Sequence, residues 1–276
     1  MSFNSVNTNR QAVFALQSLN QTNSELSGVQ KRVSTGYRVA DAKDDGGAFA
    51  VAQAVRSDVA GVTAVGEQLG GVKGVLQTTF ASLSVVSDTM KQVRATLTRL
   101  ADGAINGDQR AQYETQYTLL TTQISDFIDD ATYNGRTLLN TAGPAGGDIT
   151  GIRNEGGGTF TINAVDGTTL KLSTTPPLTA SAAQAMIASG GDFDDIDGLI
   201  STALNKFGAN MQYVENQITY NSKKVDAMNE GLGALVDADL AKESSKLQAL
   251  QTRQQLGIQT LGIANQGPQV LLSLFR

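Results

Sequence analysis

Between Ile200 and Leu235 the apolar residues fall at Ile200, Leu204, Phe207, Met211, Val214, Ile218, Val225, Met228, Leu232 and Leu235. The steps alternate between four and three once Asn221, the one polar member, is included. That spacing marks a helix whose seam faces another helix over about five heptads, and a lone seam Asn is expected to set register. Asn221 should therefore bond a polar group on the helix that faces it. A second stripe runs through Val55, Val59, Val62, Leu69, Val72, Leu76, Phe80, Leu83, Val86, Met90, Val93, Leu97 and Leu100. It predicts a helix from about 45 to 101, roughly 80 Å long at 1.5 Å per residue. Glycines at 61, 66, 70, 71 and 74 weaken it locally or admit a close neighbouring helix. A third helix is predicted over 109–131 by Tyr113, Tyr117, Leu120, Ile124, Phe127 and Ala131. Gly103 and Asn106-Gly107 mark the turn before it.

The pattern changes character between 134 and 178. Gly143-Pro144-Ala145-Gly146-Gly147 and Gly156-Gly157-Gly158 break any helix. From 159 to 172 apolar residues alternate through Phe160, Ile162, Ala164, Leu170 and Leu172, with Asp166-Gly167 between them. This predicts a β-hairpin turning at Asp166-Gly167. Pro176-Pro177 closes the region, and Ser181 is the expected cap of a short Ala-rich helix ending near Gly190-Gly191.

The two ends have thinner apolar seams. Residues 3–33 offer Leu16, Leu19, Leu26, Val29 and Val33; residues 238–265 offer Leu240, Leu247, Leu250, Ile258, Leu261 and Ala264. Isolated helices of this kind are marginal in water, so each end should need the other, or a neighbouring molecule, to stay folded. The fold class read from these patterns is mainly α. It is a long antiparallel helical bundle or coiled coil, with a small β-hairpin region at the far end and both termini together.

Composition narrows the chemistry. The 276 residues include no Cys, His or Trp. Disulfides, Cys or His metal sites, thiol nucleophiles and Ser-His pairs are thereby excluded. A formal charge of −5 argues against nucleic-acid binding. Only 17% of residues are charged, against roughly 25% in ordinary domains, a surface poorly protected against association. Asp192, Asp194, Asp195, Asp197 and Gly198 resemble a calcium loop, but the fifth position is Ile196 and no Glu stands at the twelfth. They read instead as an acidic helix start, which the helix dipole favours. No phosphate-cradling glycine loop occurs. Neither a basic-then-apolar leader nor an apolar run of ~18–20 residues is visible, which alone suggests a cytoplasmic protein with no membrane insertion.

The ends are more specific than their periodicity. Asn7-Thr8-Asn9, Ala12, Ala15-Leu16, Leu19, Thr22-Asn23, Leu26, Arg32, Ser34-Thr35-Gly36-Tyr37-Arg38-Val39 and Ala42-Lys43-Asp44-Asp45 closely resemble the N-terminal region of bacterial flagellins. Asp237-Ala238-Asp239-Leu240-Ala241-Lys242-Glu243 and the run from Ala264 through Leu272, Leu274 and Phe275 to Arg276 resemble their C-terminus. Leu76-Gln77-Thr78 and Thr132-Tyr133-Asn134-Gly135-Arg136-Thr137-Leu138-Leu139 also fit the family pattern, with Tyr133 where Phe is usual. The phrase from Leu235 to Ser244 looks especially like alphaproteobacterial members.

The resemblance implies a structural, non-enzymatic subunit that polymerises through its terminal helices into the flagellar filament for motility. The alternative is the hook–filament junction protein. The implied organisation is an inner-core helix over 1–40, outer-core helices over 41–140, a short variable region over 141–180, an outer-core helix over 181–236 and a C-terminal inner-core helix over 237–276. Implied partners are further copies of the chain, a flagellar export chaperone, and the hook-associated junction and cap proteins. No cofactor is implied. Export through the flagellar type III apparatus would place the protein outside the cell, reversing the cytoplasmic reading. The expected polymerisation and chaperone contacts are Leu16, Leu19, Leu26, Val33, Leu240, Leu247, Leu250, Ile258, Leu261, Leu272 and Phe275, with Asn221 setting bundle register. In members recognised by the animal innate flagellin receptor, Arg and Leu stand where this chain has Gln92 and Thr96, so recognition is not expected.

Overall fold

The computed structural model describes residues 9–273, and side chains up to residue 266. Among the described residues, six α-helices and one two-stranded sheet follow in this order: α1 (Arg10–Thr35), α2 (Gly46–Leu100), α3 (Gly107–Asp129), β1 (Ile149–Ile152), β2 (Thr159–Ile162), α4 (Ala180–Ile187), α5 (Asp192–Val236) and α6 (Leu240–Ser273). The architecture is the expected one, mainly helical with a small hairpin. The chain divides into two compact units, one holding residues up to Ser57 and from Ala227 onward, the other Asp58–Asp226. It passes between them inside α2 and inside α5.

The Asp58–Asp226 unit has the large core. Leu69, Leu76, Leu83, Val86, Met90, Val93, Leu97 and Leu100 of α2 meet Tyr117 and Ile124 of α3, and Phe193, Ile200, Phe207 and Val214 of α5. The heptad stripes thus become the interior, because three amphipathic helices can bury their apolar faces only against one another. Asn106 starts α3 with a capping box, its side chain accepting from the Gln109 N–H at 2.8 Å. The Tyr117 hydroxyl reaches the Ser173 carbonyl at 2.9 Å. Burial, followed by the nearby Asp192 charge, pushes that phenol up to about 12.

The hairpin lies earlier in the chain than the alternation from 159 to 172 suggests. Strands β1 and β2 pair antiparallel with Ile149 opposite Ile162, and the glycines at 156–158 fall in the connection. Asp166 instead caps a single 3₁₀ turn, Gly167–Leu170, accepting from the Thr168 N–H at 2.9 Å. Gly167 is demanded by packing: a Cβ there would sit 2.3 Å from the Leu139 carbonyl oxygen. Leu170 and Leu172 are buried as predicted, but from a turn and an irregular segment.

Three smaller expectations also change. Thr179, not Ser181, caps α4, its hydroxyl accepting from the Ala182 N–H at 3.1 Å. Of the glycines in α2, Gly74 gives room to the Tyr133 ring, 2.7 Å from where a Cβ would be, and Gly61 to Glu155. A Cβ at Gly66, Gly70 or Gly71 would meet nothing within 4 Å, so these glycines admit no close neighbouring helix among the described residues. Asn221 is buried, 3% exposed, yet its partner is not on α2. Its Nδ2 donates to the Arg153 carbonyl at 3.3 Å, and its Oδ1 accepts from Gln217 Nε2 at 3.1 Å. Gln217 Nε2 also donates to that carbonyl, at 3.0 Å. The β1–β2 connection thus supplies the acceptor, since helix backbone carbonyls on α2 are already used within the helix.

Candidate assembly surface

The unit containing both chain ends is built on α1 and α6, which run antiparallel. Asn9 Nδ2 donates to the Ala264 carbonyl at 2.6 Å. Leu19 packs at Gly257, Asn23 accepts from Gln254 Nε2 at 2.8 Å, and Arg32 Nε lies 3.1 Å from Glu243 Oε2. As one residue number rises its partner's falls. The Arg32–Glu243 atoms are buried but not aligned for a hydrogen bond, so their attraction is Coulombic. Gly36, at φ 75°, ends α1 by donating its N–H to the Arg32 carbonyl. The chain then meets the α5–α6 connection through a Tyr37–Asp237 bridge, with the Ala238 N–H on the Gly36 carbonyl at 2.9 Å. Lys31 stands between Asp41 and Asp44 at 2.8 and 2.9 Å. Its hydrogen bonds hold both carboxyls below the usual carboxylate range, and they hold the Lys31 ammonium above its own.

The seam between the two helices is thin. Leu26, Val29 and Leu250 form its buried centre, flanked by Val33 and Leu247. The inward positions of α1 are Ala12, Ala15, Leu19, Thr22, Leu26, Val29 and Val33; those of α6 are Glu243, Leu247, Leu250, Gln254, Gly257, Leu261 and Ala264. Both follow heptad steps, but half the places are small or polar. Other bulky apolar residues face outward. Val13 is 63% exposed, Phe14 67%, Leu256 56% and Ile263 70%.

Of the predicted contact residues, Leu19, Leu26, Val33, Leu247, Leu250 and Leu261 therefore lie toward the intrachain seam. Leu16, Leu240 and Ile258 are exposed. Leu272 lies on α6 with its side chain outside the described residues, as Phe275 does entirely. Val13, Phe14, Leu256 and Ile263 escaped the sequence reading. Their signal was the heptad through Ala12, Ala15, Thr22, Gln254 and Gly257, which a search for large apolar residues passes over. Gln92 is exposed, whereas Thr96 is buried with its hydroxyl on the Gln92 carbonyl at 3.0 Å. Among the described residues no His, Cys, Asp or Glu group could hold a metal ion. No described helix is long and apolar enough to cross a membrane.

Comparison with known proteins places this arrangement. The family model for the bacterial flagellin N-terminal helical region matches residues 6–143, and that for the C-terminal helical region matches 194–275. The chain is 36% identical to flagellin FljK of Caulobacter vibrioides, with all of both chains covered. It is 33% identical to a flagellin of Brucella melitensis, with 99% of each covered. A solved structure assigned as a flagellar hook-associated protein of Vibrio parahaemolyticus shares the fold. Its TM-score is 0.57 at 14% identity, over 70% of this chain and 100% of that one. With models matching at both ends and full-length relatives above 30% identity, the chain belongs to the bacterial flagellins, the structural subunits of the flagellar filament.

Proposed function

We propose that the outward apolar face of the α1–α6 pair is the surface through which this subunit polymerises. The observation that carries this reading is the apolar exterior of the pair: only half of its inner-seam places hold a large apolar side chain, while Val13, Phe14, Leu16, Leu256, Ile258 and Ile263 stand on its outside. In a lone chain these side chains stay in water. Burial against neighbouring copies would contribute on the order of 2 kcal/mol for each large side chain. On this reading residues 1–40 and 237–276 form the inner layer of the filament. Residues 41–140 and 181–236 form the layer outside it, and 141–180 the short variable part. Deleting the first and last forty residues of the full chain should abolish filaments while leaving the Asp58–Asp226 unit folded. Filaments from the truncated chain would refute the assignment.

Helix α6, taken by itself, suits an export chaperone, since an amphipathic helix laid in an apolar groove is a common recognition mode. Residues 240–275 carry those contacts, with Leu240, Leu247, Leu250, Ile258, Leu261, Leu272 and Phe275 as anchors. Leu247, Leu250 and Leu261 become available only when α6 leaves α1. The role is structural rather than enzymatic, the destination is the cell exterior by type III export, and the junction and cap proteins meet the same terminal helices. The animal flagellin receptor is not expected to bind, because Gln92 supplies no cation and Thr96 is buried. A chaperone that bound a chain ending at residue 235 with unchanged affinity would defeat the α6 assignment.

A further inference from the structure

Asparagine precedes glycine twice in the chain, at Asn106-Gly107 and at Asn134-Gly135. This pair of residues has a chemistry of its own. The glycine nitrogen can reach the asparagine side-chain carbonyl carbon through a five-membered ring, and no Cβ on the glycine hinders the approach. Whether the ring closes depends on how firmly the local structure holds the two groups apart. Both asparagines are exposed, so access to water does not separate them.

Hydrogen bonding does separate them. Asn106, the cap of α3, is held from several sides. Its Oδ1 accepts from the Gln109 N–H at 2.8 Å, its own N–H meets Gln109 Oε1 at 3.4 Å, and its carbonyl accepts from the Arg110 N–H at 3.0 Å. The side-chain amide is thereby committed to the helix start. Asn134 is free of such ties. Among the described residues neither its side-chain amide nor the Gly135 N–H has a hydrogen-bond partner. Asn134 and Gly135, at φ 50° and 72°, form the apex of an exposed turn, and the flanking Tyr133 and Arg136 exchange backbone bonds of 2.8 and 3.0 Å. Asn134 is the one non-glycine residue at positive φ among those described, a conformation that costs any residue with a Cβ. Asn134 and Arg136 also line a groove of about 500 Å³ with Val72, Val75 and Asp148. The Asp148 Oδ1 accepts from the Ala164 N–H at 2.8 Å, whereas the exposed Arg136 guanidinium has no ion-pair or hydrogen-bond partner among the described residues.

We propose that Asn134-Gly135 is a site of self-modification, at which the Gly135 backbone nitrogen closes on the Asn134 side chain and converts it to an acid beside Arg136. The Gly135 nitrogen gives its proton to a solvent base and bonds to Asn134 Cγ. The Cγ–Nδ2 bond breaks, Nδ2 takes up a proton, and ammonia leaves a cyclic imide behind. Water then opens the ring at one of its two carbonyls. One opening gives aspartate; the other gives isoaspartate, whose main chain runs through the former side chain. The net exchange is one side-chain amide and one water for one carboxylate and one ammonium, with no oxidant, reductant or enzyme. Each event sets a negative charge next to the unpaired cation of the groove, so the charge of this surface changes one way as a subunit ages. The products differ in the turn. Asp-Gly suits a two-residue turn as Asn-Gly does, so aspartate keeps the Tyr133–Arg136 bonds. Isoaspartate adds a carbon to the main chain and cannot keep both. The reaction needs no second copy and is independent of the α1–α6 reading.

In the test the full chain is held in mildly alkaline buffer, and conversion at each asparagine is followed by peptide mapping with mass spectrometry. Because Asn106 must first give up its hydrogen bonds, Asn134 should convert at least about tenfold faster. Gln109→Ala removes one of the bonds on Asn106 and should raise conversion there while leaving Asn134 unchanged. Equal rates at the two sites, or no conversion at Asn134, overturn the proposal. A second arm compares the separated isoaspartate fraction with Asn134→Asp by amide hydrogen exchange. The Tyr133 and Arg136 amides should lose protection in the first and keep it in the second. Loss in both, or in neither, contradicts the assigned effect on the turn.

Discussion

The Asp58–Asp226 unit and the α1–α6 pair are built from the same kind of long helix, yet they hold together differently. In the first, fully buried side chains as large as Phe193, Phe207 and Met90 fill the space between three helices. In the second, two helices of 26 and 34 residues share a buried centre of only Leu26, Val29 and Leu250, flanked by the half-buried Val33 and Leu247, with polar links through Asn9, Asn23, Gln254 and the Arg32–Glu243 pair. Helical propensity does not separate them; the placement of bulky apolar residues does. A finished core turns them inward, and an assembly surface leaves them outside until a neighbour arrives.

That contrast can be broken most forcefully in the core. Phe207→Ala should cost about 3–5 kcal/mol, read as a large fall in the denaturation midpoint of the Asp58–Asp226 unit. Phe14→Ala, its counterpart on the terminal pair, should leave that midpoint unchanged and reduce polymerisation. Equal destabilisation by the two substitutions would erase the distinction.

A smaller effect is expected where packing meets backbone. Gly74→Ala drives a methyl into the Tyr133 ring and should cost about 1–3 kcal/mol. Gly66→Ala has open space and should stabilise α2 by up to about 1 kcal/mol. Opposite signs in thermal denaturation check the assignment of the two glycines.

Buried polar groups come next. Asn221→Leu removes one donor from the Arg153 carbonyl and the acceptor of Gln217, and should cost about 1–2 kcal/mol. Thr79 is fully buried with its hydroxyl unpartnered among the described residues. Thr79→Val should therefore stabilise by about 1 kcal/mol. A gain on Asn221→Leu, or a loss on Thr79→Val, would show these hydrogen-bond assignments to be wrong.

The smallest effect is electrostatic. Asp41 and Asp44 have carboxyls held below their ordinary range in the folded chain by Lys31. Their contribution is present above the unfolded value near 4 and fades as pH falls through the lowered folded values. Lys31 is raised, so its share persists below about 10.5 and is lost as pH rises through the higher folded value. Proteolysis of the Lys31–Asp45 segment should therefore be slowest between these limits, and Lys31→Met should flatten the profile.

The long stripes through α2, α3 and α5 were legible because a 3.6-residue period leaves few alternatives over so many turns. The hairpin was legible as an element but not in place. Asp166-Gly167 carries turn chemistry, yet its glycine answers to the Leu139 carbonyl, a long-range contact that local pattern cannot contain. Asn221 was recognisable as a buried register residue, but its partner Arg153 is far away in sequence. On the terminal pair, the apolar residues could be read from the chain while their facing could not. Ala12, Ala15, Gln254 and Gly257 take inner-seam places without bulk, so Leu16 and Ile258 look like core until the helices are paired.

Amide hydrogen exchange on dilute subunit and on filament tests the central claim most directly. The apolar exterior of the α1–α6 pair is held to be a surface completed only by neighbouring copies. Amides of residues 10–22 and 254–266 should exchange rapidly in the subunit and become strongly protected in the filament, while α2, α3 and α5 between Leu69 and Val214 stay protected in both. Equal protection of the terminal helices in dilute subunit and filament would contradict the account.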